Sequence, residues 1–163
     1  MADLDRSQLI YLVALNIGKG LMLRGVNLSK VDMRGLSLSN ANLTLAKLNA
    51  ANLSQANLDK AILEDADLGY ADLSEVNLQG ANLRRAVLVG ADLRAADLTD
   101  ADLREADLRN ANLRDANLRD AVLNRANLWQ AKLTDANLIY ANFEGAKGLP
   151  VEIYEQLRQK PEG

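Results

Sequence analysis

Residues 91–120 read ADLRA ADLTD ADLRE ADLRN ANLRD ANLRD, six five-residue units that each open with Ala, Asp or Asn, and Leu. Working outward in both directions, the beat holds without an insertion or a skipped step. Leu occupies every fifth position from Leu23 to Leu138, with Met33 as the one substitution, and Phe143 closes the series after about 25 units. Ala stands two residues before Leu from Ala41 to Ala71 and from Ala81 to Ala141. The two positions after Leu vary and are mostly polar. The unit is A-(D/N)-L-x-x.

A period of five fits neither regular element. At about 100° per residue, Leu residues five apart spiral around a helix and form no stripe. A long strand needs continuous alternation, which here lasts only for Ala-in, Asn-out, Leu-in. Three extended residues followed by a two-residue corner satisfy the pattern. A chain that bends the same way after each unit coils, and its coils stack about 4.8 Å apart. Ala and Leu then point inward, while Asp or Asn and the corner residues face water. The Asp/Asn slot suits side-chain-to-backbone bonding at the corners.

The run of A-(D/N)-L-x-x units resembles the pentapeptide-repeat family across residues 21–145. The resemblance implies an all-β solenoid: a right-handed quadrilateral β-helix with four pentapeptides per coil and about six coils. Coils of 20 residues pile Leu43, Leu63, Leu83, Leu103 and Leu123 into one column ending at Phe143, the structural core. The resemblance also makes a cyanobacterial source an expectation, because such proteins are numerous there.

Residues 1–20 are expected to form an N-terminal helical cap and residues 146–163 a C-terminal helix and tail. Over 5–17, Leu9, Leu12 and Val13 share a helical face with Ile10, Ala14 and Ile17 beside it; Asp5 or Ser7 offers an N-cap and Gly18 a stop. Leu21, Val26, Val31 and Leu36 replace Ala in the first coil, which reads as the layer meeting that cap. At the other end Pro150 suits a first helical turn, Glu152 and Arg158 suit the helix dipole, Val151, Tyr154 and Leu157 make a stripe, and Pro161 ends it. Covered ends protect the open strand edges of a solenoid. The resemblance allows a dimer through the C-terminal helix, but a monomer is the expectation.

The composition narrows function. With no Cys and no His, Ser-His-Asp and Cys-His catalysis and the usual zinc sites are absent. Gly18-x-Gly20 is too short for a phosphate loop. Asp92, Asp97, Asp102 and Asp107 fall on four successive sides and do not converge; Asp72 and Asp92 stack on one side but serve the repeat. No enzyme, cofactor or metal is expected. A net charge of −3 gives no drive toward nucleic acid or anionic membrane. The acidic start and the short apolar stretch Leu9–Leu15 make neither signal peptide nor membrane span, so a cytoplasmic protein is expected.

A protein-binding or scaffold role remains. Gly69, Val89, Arg109 and Trp129 share one outward slot at 20-residue spacing, and Val89, Arg109 and Trp129 form the candidate contact patch, with a cation–π pair between the last two. The competing reading has Trp129 covering the C-terminal end beside Tyr140 and Phe143. Leu45 is an isolated outward apolar residue. The other functional alternative, which the resemblance supplies, is a DNA-mimicking modulator of a type II topoisomerase (gyrase). That role needs acidic walls, whereas Arg104, Arg109, Arg114 and Arg119 form a belt among Asp100, Glu105, Asp115 and Asp120. A charge-mixed surface follows, neither DNA-like nor nucleic-acid-binding.

Overall fold

The computed structural model describes residues 4–15 and 20–158. Parallel bridges join each second-position residue to the one 20 residues later, from Met22↔Asn42 to Asn127↔Lys147. Twenty residues are four units, so the chain makes a four-sided coil stacked on copies of itself. Each side contributes a single bridging residue.

Backbone hydrogen bonds explain why five residues suffice. In the unit Ala61–Asp65, Ala61 N–H closes the preceding turn on Leu58 C=O at 2.9 Å. Ile62 N–H donates one coil back to Ala41 C=O, Leu63 N–H one coil forward to Asn82 C=O, and Asp65 N–H forward to Arg84 C=O. That leaves the N–H of the fourth residue, which no main-chain oxygen reaches. In most units the Asp or Asn side chain takes it: Asp92 Oδ1 accepts from Arg94 N–H at 3.2 Å, and Asn52 from Ser54 at 3.0 Å. The Asp/Asn slot is thus the acceptor that completes the backbone inventory. On one side these residues also bond to each other, Asn137 donating to Asn117 at 3.0 Å and Asn77 to Asn57 at 3.2 Å.

The corner carries a feature the sequence reading passed over. The fifth residue of every unit from Gly25 to Gly145 has a left-handed φ near +60°, and in twenty units that residue is not glycine. The fourth residue does not share it, so the corner is a type II turn closed by the N–H of the next unit. Such a φ costs a residue with a Cβ about 1–2 kcal/mol. The fifth slot accordingly holds Gly, Asn, Asp and side chains unbranched at Cβ and never Val, Ile or Thr, whereas the fourth slot admits Thr44, Val89, Thr99, Thr134 and Ile139. Those two positions do not vary freely. Asp115→Val, at an exposed corner, is expected to cost about 1–3 kcal/mol in urea unfolding, while Asp115→Asn changes little.

Leu43, Leu63, Leu83, Leu103 and Leu123 are fully buried, and Phe143 at the rod's end is 9% exposed. At the opposite end α1 (Arg6–Leu15) starts at a reciprocal cap, Gln8 N–H to Asp5 Oδ1 at 2.8 Å and Asp5 N–H to Gln8 Oε1 at 2.9 Å. Asp5, not Ser7, is the N-cap. Arg6 spans to the first coil, donating to Asp32 C=O at 2.6 Å and to its carboxylate at 2.9 Å, so it covers an open edge carbonyl. Leu9 is buried, with Leu12 and Val13 packed beside it, whereas Ile10 and Ala14 face water. The helix is apolar nearly all round, but a rod end receives only one stripe. The expected Ile17 contact and the Gly18 stop lie outside the described residues.

α2 (Val151–Arg158) follows Pro150, whose C=O accepts from Ile153 and Tyr154 N–H. The stripe expected to pack does not: Val151 is 70% and Tyr154 47% exposed, and the buried residues are Leu149 and Ile153. Leu149 precedes the helix, where a helical stripe cannot register it, and it fixes which face turns inward. The side chain of Leu157, and Pro161, lie outside the described residues. No helix among the described residues is long and apolar enough to cross a membrane.

Candidate protein-contact site

The 20-residue register creates four long corners with different chemistry. The corner after Arg84 carries charges of both signs along its length, and a cleft of about 430 Å³ there is lined by Arg84, Arg104 and Arg125 together with Glu105 and Glu144. The corners after Arg94 and Lys60 are also charged. The fourth runs through Asn49–Ala50, Gly69–Tyr70, Val89–Gly90, Arg109–Asn110 and Trp129–Gln130, and above Lys30 its one charge is Arg109.

The bridges Val87↔Asp107 and Asp107↔Asn127 place Val89, Arg109 and Trp129 in one column up this corner. Arg109 is engaged by Asp107: Nε lies 2.8 Å and Nη2 2.7 Å from its two carboxylate oxygens. The guanidinium therefore folds back along the coil onto its own aspartate. Trp129 is 60% exposed, and its backbone and Cγ press against Gly148, where a Cβ would come within 2.5 Å of Trp129 N. So Trp129 both seats the chain leaving the last coil and shows a ring to water. Tyr140 and Phe143 sit at and beside a different corner.

The sequence reading missed Tyr70, next to Gly69 in the same corner. It is 74% exposed, and its ring lies over Gly90 one coil on, where a Cβ would fall 2.7 Å from Cε1. The available signal was a tyrosine in the fifth slot with glycine 20 residues later. Leu45 is exposed on another corner, and nothing in the structure gives it a partner role.

Fold-back pairs recur wherever Asp is followed two residues later by Arg, in D-L-R or D-M-R: Arg34 on Asp32, Arg94 on Asp92, Arg104 on Asp102 and Arg109 on Asp107. Arg119 turns to Asp120. These pairs neutralise most of the arginine belt and the carboxylates beneath it. Asp72 is held by Ser74 and Asp92 by Arg94, so the stacked pair does not converge on a shared centre. Among the described residues no acidic cluster is arranged to hold a metal.

The Arg94 and Arg109 side chains hold Asp92 and Asp107 below the usual carboxylate range. Burial pushes Asp102 up, but bonds from Arg104 outweigh it. Asp32 drops from 3.8 to about 2, chiefly through Arg34. A carboxyl with a lowered folded pKa contributes stability above its unfolded pKa and loses it as pH falls through the folded value. The urea midpoint is therefore expected to hold from neutral pH down to about 4 and to fall between about 4 and 2. Arg34→Gln should raise Asp32's folded pKa toward its unfolded value and so shrink its part of that fall. A midpoint indifferent to acid would remove the ion pairs from the account.

Sequence comparison matches eight copies of the pentapeptide repeat, over residues 20–49, 37–73, 71–110 and 111–147. No curated protein matches this chain. Among solved structures, trypsin-treated R167E QnrB1, a plasmid-mediated fluoroquinolone resistance protein, superposes with a TM-score of 0.67 at 21% identity, covering 78% of this chain and 70% of its own. That likeness speaks for the fold alone. HetL from Nostoc sp. strain PCC 7120, a pentapeptide repeat protein involved in heterocyst differentiation regulation, is 28% identical over 88% of this chain and 79% of its own, with a TM-score of 0.37. The Nostoc protein alr5209 is 32% identical over 68% and 82%, with a TM-score of 0.31.

Proposed function

Because the chain belongs to the pentapeptide-repeat family, we propose that it is a non-catalytic rod, right-handed and about six coils long with a helical cap at each end, that binds another protein along the Tyr70–Trp129 corner. The observation that carries this is the contrast between corners: three are laced with charge, and the fourth sets two exposed aromatic rings and Val89 around one neutralised arginine. Large aromatic side chains at low conformational cost are what protein contacts favour. The rod acts as a monomer in the cytoplasm, and nucleic acid and membrane are not its targets.

Gyrase modulation by DNA mimicry is the competing reading. It requires a wall of unneutralised carboxylates, and here Asp92, Asp102 and Asp107 each carry an arginine. The test is capture from extracts of the native host by wild type and by Trp129→Ala and Arg109→Ala variants, with circular dichroism confirming the fold. A specific partner retained by wild type and lost by the variants supports the contact corner. Inhibition of gyrase supercoiling that survives both variants would install the DNA mimic in its place.

A further inference from the structure

The C-terminal cap covers the core but leaves part of the last strand edge open. On the side running through residues 131–135 the bridges stop at Asn112↔Lys132, because the residue 20 positions further on, Glu152, lies in α2. One coil below, Leu113 N–H donates to Lys132 C=O at 2.8 Å, Asp115 N–H to Thr134 C=O at 3.1 Å, and Ala111 C=O accepts from Lys132 N–H at 2.9 Å. Their equivalents in the last coil are the N–H groups of Leu133 and Asp135 and the C=O of Ala131. Among the described residues these three have no partner. Leu133 is only 3% exposed, and a backbone donor so placed is rarely left unpaired.

Space for a strand lies over these groups. A cleft of about 680 Å³ separates this side from α2, with Leu133 and Ile153 as its apolar floor and Asp135, Glu152 and Glu155 around it. Those three carboxylates against Lys132 leave the cleft a net charge of −2, and none of the four forms an ion pair among the described residues. Leu138 and Phe143 carry open N–H groups on the next two sides, but the cleft lies over this one.

An extended segment supplies what the edge lacks. Its carbonyls accept from Leu133 and Asp135, one of its N–H groups reaches Ala131 C=O, and alternate side chains turn toward the apolar floor. The side chains between them meet the carboxylates, which select positive charge. A helix, with its backbone bonds satisfied internally, answers none of the open groups.

We propose that the cleft between residues 131–135 and α2 docks an extended basic segment of a partner protein, added to the last coil as one more strand. This edge is separate from the Tyr70–Trp129 corner, and its test does not depend on that reading.

The experiment adds an end-capped octapeptide of alternating Lys and Val to the full-length, isotope-labelled protein and follows amide hydrogen exchange by NMR. Without peptide, Leu133 and Asp135 exchange faster than Leu113 and Asp115, their bonded equivalents. With it, exchange at both is expected to slow saturably, roughly tenfold or more at saturation. Glutamate in place of its lysines, or N-methylation at those lysines, removes the protection. The double variant Glu152→Gln/Glu155→Gln binds the peptide roughly tenfold more weakly, and Glu105→Gln on a different corner leaves binding unchanged. The proposal is overturned by no saturable protection at Leu133 and Asp135, by equal protection from the glutamate peptide, or by a double variant that binds as well as wild type. Amides already protected in the free protein, with that protection lost on dilution, would give the edge to a second copy of the chain and overturn it too. The peptide comparisons use wild-type protein, so they decide the matter even if the double variant disturbs α2.

Discussion

Leu83→Asp abolishes the cooperative unfolding transition, and Leu83→Ala lowers the thermal midpoint by about 5–15 °C. Leu83 is fully buried at mid-rod. Its N–H donates to Asp102 C=O in the next coil at 2.7 Å, and its C=O closes the turn to Ala86. Truncation to Ala removes a buried aliphatic group that the stacked coils cannot collapse around, at about 2–5 kcal/mol. A carboxylate in its place has no partner, since the side chains stacked inside the rod are aliphatic there, and an unpaired buried charge exceeds what a domain of this size can absorb. Because each coil touches only its neighbours, the break falls between the two halves of the rod. Leu138→Ala, near the end and 9% exposed, should cost markedly less. Thermal melts followed by circular dichroism compare the three. Equal losses at Leu83 and Leu138 would mean that the internal stack is not what holds the rod together.

How much of this was legible in residues alone depends on whether the relevant force acts within one unit. Ala and Leu repeat at five, and burial follows from that spacing, so the inward columns are readable. The Asp/Asn slot is readable as a corner-bonding site; that it answers the fourth N–H emerges only when the other four are assigned. Four sides per coil came from the family likeness, because a period of five does not set the bend. The left-handed fifth residue left a trace in the missing β-branched side chains, visible once the turn type is known. The caps were the least legible. A stripe such as Val151–Tyr154 shows that a helix has an apolar face, but Leu149, outside the helix, decides which face turns toward the coil. Arg109 pairs with Asp107 because a guanidinium and a carboxylate two residues apart in one unit can meet at two points, a charge attraction that a spacing of 20 does not display.

Gly148→Ala is expected to free the C-terminal end while leaving the rod standing. Gly148 has φ +71, and a Cβ there would lie 2.5 Å from Trp129 N, 2.6 Å from its Cα and 2.7 Å from Cγ. Two of those atoms are backbone held in the last stacked corner, so they have no rotamer in which to retreat. The chain must lift instead, taking with it Leu149 and Ile153, the two residues that cover the final coil. Left-handed strain and steric conflict together should cost about 2–4 kcal/mol of local stability. The readouts separate the two effects. Trp129 emission should shift toward that of a solvated indole while the far-ultraviolet spectrum of the solenoid is retained. Gly148→Asn sharpens the test: asparagine tolerates a left-handed φ, as Asn40 and Asn110 do, but it still carries a Cβ. If the close approach to Trp129 governs, Asn is as damaging as Ala; if backbone conformation governs, Asn restores the wild-type spectrum. The first outcome places Trp129 at the junction of end closure and contact surface, so that a partner resting on its ring would also secure the end of the rod.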